Sequence, residues 1–289
     1  MSKNNLVGYE NYLNNLLTLY KNNKLPNKIL LSGKKGIGKS LLIKHFVYNI
    51  FDDQNSKYLI DKSNHPNVLN IKKKDEKKNI EIDQIREIIK FTNQSSFNNK
   101  SRFIIIDESE YLNINSSNAL LKSLEEPNYN VYFFLIFNSD LQILDTIKSR
   151  CLEIKVNLSL ENTKLIVNQY FEDKIYDDIN ETLVNFYSTP NFLISLIIYM
   201  KENNLSLVDT NIDDLVENIV DNKHYNKDTF IKEYINYIVE LFFFNHINKT
   251  KKISYKVKNY YYSKISNIKK FNLDYETFFL EFKDKLLSE

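Results

Sequence analysis

Gly33-Lys34-Lys35-Gly36-Ile37-Gly38-Lys39-Ser40 is the stretch on which the reading of this chain turns. It fits the spacing G-x-x-x-x-G-K-[ST], in which glycines let backbone N–H groups curl around phosphate oxygens, a lysine adds a point charge and a serine offers a hydroxyl to magnesium. Three of only four glycines in 289 residues fall inside it. The alternative is a flexible, lysine-rich turn, and the flanks decide against it. Upstream, Lys28-Ile29-Leu30-Leu31 is a short apolar run suited to a strand covered on both faces. Downstream, Leu41, Leu42, Ile43, Phe46, Val47 and Ile50 recur at helical spacing, so the N-terminus of a helix points its unpaired N–H groups at the anion.

Two further apolar runs belong to the same sheet. Arg102-Phe103-Ile104-Ile105-Ile106-Asp107-Glu108 reads as a central parallel strand that delivers two carboxylates to its carboxyl end, where open α/β sheets bind ligands. There Asp107 can hold magnesium through water and Glu108 can polarise an attacking water; the alternative is a plain acidic turn. Val131-Tyr132-Phe133-Phe134-Leu135-Ile136-Phe137 ends at Asn138-Ser139. Asn138 can sense a terminal phosphate from between the loop and the acids, or it can simply cap the following turn.

Composition bounds the class. With 43% hydrophobic residues the chain can bury a sizeable core, and its length allows two or three domains. Its apolar runs are far shorter than the roughly 20 residues of a membrane helix. Met1-Ser2-Lys3-Asn4-Asn5 lacks the apolar core of a signal peptide, which points to a cytoplasmic location without a membrane partner. A single cysteine, Cys151, excludes an internal disulfide and any zinc site built on several cysteines. A net charge of +2 argues against coating nucleic acid by bulk charge. Three arginines, Arg86, Arg102 and Arg150, stand against 36 lysines, and only arginine offers a planar fork of donors.

Asn118-Ala119-Leu120-Leu121-Lys122-Ser123-Leu124-Glu125-Glu126-Pro127 and the later Ser149-Arg150-Cys151 resemble the signature segments of the clamp-loader ATPases of the AAA+ class. Leu6-Val7-Gly8-Tyr9-Glu10 resembles the family's N-terminal segment at the nucleotide edge, and this accounts for the fourth glycine. Ile80-Glu81-Ile82-Asp83-Gln84-Ile85-Arg86, following His65-Pro66-Asn67, resembles a segment typical of delta-prime subunits of bacterial DNA polymerase III. Together these cover residues 6 to about 156.

The resemblance implies an AAA+ P-loop parallel-sheet domain over 1–156, a small helical lid over 157–203 and an all-α collar over 204–289. It implies ATP and Mg2+ as ligands: Gly33, Gly36, Gly38, Lys39 and Ser40 around the phosphates, Ser40 and Asp107 on the metal, Glu108 as catalytic base, and Asn138 as first sensor. Arg150 would be a finger presented to nucleotide on a neighbouring subunit; the plainer alternative is a structural salt bridge. The implied partners are the other subunits of a hetero-pentameric ring, a sliding clamp and primed DNA. A gamma-type motor subunit is the runner-up, although such subunits usually carry a four-cysteine zinc module that this chain cannot form. A stand-alone P-loop kinase or helicase is a third reading, for which acceptor and lid residues are lacking.

One departure stands out. Ser188-Thr189-Pro190-Asn191-Phe192-Leu193 aligns with a family segment reading Ser-Pro-Gly-Arg, whose arginine is the second sensor, and here that position is Phe192. Beyond it, Lys201-Glu202-Asn203-Asn204-Leu205-Ser206 reads as a polar linker. Phe230, Tyr234, Ile235, Tyr237, Ile238, Leu241 and Phe242 give the next segment a broad apolar helical face. Lys256-Val257-Lys258-Asn259-Tyr260-Tyr261-Tyr262-Ser263-Lys264 mixes cations with rings that can either stack on single-stranded bases or pack into a core.

Overall fold

The computed structural model describes residues 6–74, 77–94, 99–125, 128–184, 186–250, 254–271 and 273–287. Glu126-Pro127 of the signature segment and the N-terminal Met1–Asn5 lie outside them. The chain divides into two compact units, 1–162 and 163–289.

The first unit is a five-stranded parallel sheet. Its strands are β1 (Lys28–Gly33), β2 (Val68–Ile71), β3 (Arg102–Ile106), β4 (Val131–Asn138) and β5 (Leu152–Lys155), in the order β2-β3-β4-β1-β5. Helices α1 (Glu10–Lys21), α2 (Lys39–Ile50), α3 (Gln54–Asp61), α4 (Ile82–Asn93), α5 (Ile114–Glu125) and α6 (Asp145–Lys148) complete it. This is the P-loop parallel-sheet α/β architecture expected from the sequence.

Period-two alternation sends each central strand's side chains to both faces, and both faces are covered. Leu30, Ile104, Ile106, Phe133 and Leu135 share one buried cluster with Ile85 and Ile88 of α4 and Leu120 and Leu124 of α5. On the opposite face Phe103 and Phe134 meet Phe46 of α2 at ring-centroid distances of 5.8 and 5.4 Å. Tyr20 of α1 completes the cluster, 5.6 Å from Tyr132. Burying each of these side chains contributes roughly 1.5–3 kcal/mol.

The register sets the site. Gly33, the last residue of β1, lies opposite Asn138, the last of β4, and Ile106 at the end of β3 lies opposite Leu135. Because β4 sits between β1 and β3, the phosphate loop, Asn138 and the Asp107-Glu108 pair leave the sheet at the same end.

The second unit is helical: α7 (Leu160–Phe171), which begins before the division, then α8 (Glu181–Val184), α9 (Pro190–Glu202), α10 (Ile212–Asp221), α11 (His224–Lys227), α12 (Thr229–Phe244), α13 (Tyr255–Phe271) and α14 (Glu276–Phe282). Pro190 opens α9 at a position whose N–H has no helical partner, and Asn211 opens α10 with a capping box. One apolar core runs from Val167 through Leu196, Leu215 and Phe242 to Phe282, so the segments expected as lid and collar share buried contacts.

Candidate nucleotide site

The glycine-rich loop passes from β1 directly into α2. A side chain at Gly33 would sit 2.5 Å from the main-chain oxygen of Val156, so only glycine fits there. Gly38 caps α2 in the left-handed region, at φ 97°. The Tyr9 ring lies against Gly38, and its hydroxyl donates to the carbonyl of Ile37, tying the N-terminal segment to the loop.

Lys39 is buried at 6% exposure, and its ammonium donates to the carbonyls of Gly33 at 2.7 Å and Lys34 at 2.8 Å. Burial pushes its pKa down to about 8, against the opposing pull of Glu110, Asp107 and Asp140. A buried cation whose ammonium donates to neutral carbonyls, beside a helix N-terminus, suits a triphosphate anion. Ser40 is exposed in the first turn of α2.

The acidic turn after β3 is strained. Asp107 accepts the Glu108 amide at 3.0 Å, and Glu108 adopts the left-handed conformation at φ 55°, uncommon for a residue other than glycine. Fully buried Ser109 anchors the turn by donating to the Ile136 carbonyl of β4 at 2.9 Å. The Glu108 carboxylate is 18% exposed and faces the ammonium groups of Lys35, in the phosphate loop, at 4.0 Å and Lys72, after β2, at 3.9 Å. The bend brings in a carboxylate that the sequence reading missed. Glu110 accepts the main-chain N–H of Asn138 at 3.2 Å, and burial raises its pKa. The one signal for it was the Asp-Glu-Ser-Glu spacing, which carries Glu110 back toward β4 only when Glu108 bends the chain.

Asn138 does cap the turn after β4: its side-chain oxygen accepts the Asp140 amide at 3.1 Å. It also stands beside the phosphate loop, since the Ser139 amide donates to the Gly33 carbonyl at 3.1 Å. A cavity of about 910 Å³ opens next to it, with Gly33, Glu110, Ser139, Lys148 and Lys155 in its wall.

The three arginines part company. Arg102 is 6% exposed and donates to the Phe91, Thr92 and Gln94 carbonyls at the end of α4, a structural cap. Arg86 pairs with Asp83 on the surface at 2.7 Å. Arg150, between α6 and β5, places Nε at 3.1 Å and Nη2 at 2.8 Å from Glu125 Oε1, at the end of α5. The adjacent Cys151 thiol is pushed up to about 11 by burial and stays protonated.

In the second unit, Phe192 is 1% exposed and packs against Phe230, Tyr234 and Tyr237, the last at 4.3 Å between ring centroids. The position aligned with the second sensor is therefore a core position. Tyr261 is likewise buried, while half-exposed Tyr260 donates to Glu281 at 2.9 Å with Lys264 over its ring.

The family model described as DNA polymerase III, delta subunit, matches residues 8–159. The chain belongs to this family. Among curated proteins it is similar to DNA polymerase III subunit delta' of Pseudomonas aeruginosa, at 31% identity over 134 residues, 43% of this chain and 41% of that one. It is similar to subunit delta' of Buchnera aphidicola from Acyrthosiphon pisum at 31% over 163 residues, 53% and 49% of the two chains. Similarity to subunit tau/gamma of Haemophilus influenzae is 28% over 171 residues, 55% and 24% of the two chains. The chain thus spans less than half the length of these curated relatives. The delta-prime resemblance read from the sequence is borne out, and the gamma-type alternative has no better support. Among the described residues no helix is long and apolar enough to cross a membrane.

Proposed function

We propose that this family member is a delta-prime-type subunit of a clamp-loading assembly that binds ATP with Mg2+ and lends Arg150 to nucleotide held by its neighbour. The observation that carries the reading is Lys39, a buried ammonium held on its own loop's carbonyls, with Asp107, Glu108 and Asn138 at the same end of the sheet. In this reading Gly33, Gly36 and Gly38 shape the loop, Lys39 turns from its carbonyls to phosphate oxygens, and Ser40 and Asp107 hold the metal. Magnesium, when bound, would offset charge on the phosphates. Glu108 would accept a proton from water, with the ammonium groups of Lys35 and Lys72 at 4.0 and 3.9 Å from its carboxylate.

The partners follow from the same reading: four further subunits in a ring, a sliding clamp and primed DNA. Residues 1–156 would be the nucleotide domain, 157–203 the lid and 204–289 the collar. Phe192, buried in an aromatic cluster, supplies no cation to bound phosphate, which favours binding over efficient turnover in this chain.

The complete set Lys39, Asp107 and Glu108 also favours a second reading, a gamma-type motor that hydrolyses ATP itself. Titrating the purified chain with ATP and then measuring turnover alone and with loader subunits separates the two. Binding that is lost in Lys39→Ala, without turnover by this chain, supports the first reading; turnover abolished by Lys39→Ala supports the second. No binding in either setting removes both.

A further inference from the structure

Arg150 has five N–H donors in a fixed fork. Nε and Nη2 share Glu125 Oε1 at 3.1 and 2.8 Å, and Nη1 donates to the Thr146 carbonyl of α6 at 3.1 Å. Three donors are thus used, and the side-on edge of the guanidinium is occupied by the carboxylate. Two N–H groups remain for an incoming acceptor, while the side chain is 34% exposed and reachable from outside. The contact joins α5 to the α6–β5 connection across 25 residues of sequence. Two separate elements therefore fix the direction of a long side chain that otherwise samples many rotamers.

We propose that Glu125 is a positioning residue for Arg150: its carboxylate clamps the Nε/Nη2 edge so that the remaining donors are presented to a phosphate oxygen on a neighbouring chain. This inference rests on the trans-finger reading given under Proposed function. A pair bonded to one carboxylate oxygen and exposed on both sides adds little to folding stability, so its effect belongs to orientation. Geometry held before the encounter lowers the ordering cost at the moment of reaction.

The test uses the full chain reconstituted with its loader partners, comparing ATP hydrolysis by the assembly for Glu125→Ala, Glu125→Gln, Arg150→Ala and the double variant Glu125→Ala/Arg150→Ala. The expected result is a fall in kcat of about tenfold for Glu125→Ala with KM unchanged. Glu125→Gln, which keeps the acceptor oxygen, recovers part of the loss, and the double variant equals Arg150→Ala alone. Normal kcat in Glu125→Ala while Arg150→Ala is impaired overturns the role of Glu125 and leaves the finger reading standing. Further loss in the double variant also overturns it, because Glu125 then acts independently of Arg150. Normal kcat in Arg150→Ala overturns the finger reading itself.

Discussion

The Lys39 ammonium donates to the Gly33 carbonyl at 2.7 Å, so the phosphate loop supplies its own acceptor at the point where a triphosphate would bind. Burial holds the Lys39 pKa at about 8, whereas a bound polyanion favours the charged form and raises it. ATP affinity is therefore expected to be full below about pH 8 and to fall by up to tenfold per pH unit above it, as binding must then take up a proton. Calorimetric titrations between pH 7 and 10, in buffers of different ionisation enthalpy, check both the slope and the proton uptake.

Arg102 supports the fold rather than the chemistry. Its guanidinium donates to three carbonyls at the end of α4; Arg102→Ala removes all three bonds, while the Thr92 carbonyl keeps the Asn128 side-chain amide at 2.7 Å and the Phe91 carbonyl keeps the Gln94 N–H at 3.4 Å. The expected loss is about 1–3 kcal/mol of stability, with Arg102→Lys intermediate because an ammonium lacks the planar fork. Denaturant unfolding of the three proteins measures it.

Phe192 is a core position, so an arginine placed there is expected to destabilise the helical unit rather than to supply a cation. Phe192→Ala is expected to cost about 3–5 kcal/mol through the cavity it leaves, and Phe192→Arg to cost more by burying an unpaired charge. Recovery of tighter ATP binding in a well-folded Phe192→Arg protein would contradict this.

Glu281 tests the helical unit. Bonds from Lys264 and Lys285 hold its pKa down to about 2, below the unfolded value of 4.5. The folded-state pKa is the lower one, so the stabilisation is present above pH 4.5 and lost as pH falls toward 2. Glu281→Gln should lower Tm by about 4 °C at pH 7, and the gap to the parent should close on acidification; a gap independent of pH would point to packing instead.

The phosphate loop, the acidic strand end and the parallel sheet were legible because each is a local pattern: glycine spacing, an apolar run, a carboxylate at its end. Their convergence was not legible as geometry. It depends on β4 lying between β1 and β3, a matter of sheet order. Glu110 reaches the site only because Glu108 adopts a positive φ that no glycine signals in the sequence. The sequence allows Asn138 to be either sensor or cap, and it caps a turn while standing beside Gly33. The Arg150 and Glu125 contact joins residues 25 apart on different elements, beyond any helical periodicity. In the tyrosine run, one ring entered the core and its neighbour met Glu281, a choice made by packing between α13 and α14.

The trans role of Arg150 is tested most directly by ATP hydrolysis in the reconstituted assembly carrying Arg150→Ala in this chain, with ATP binding by the isolated variant as its internal control. Binding by the variant is expected to match the parent while the assembly's hydrolysis falls, by about a thousandfold at the site the finger serves. Parental hydrolysis in the assembly, or loss of the chain's own ATP binding, would contradict it.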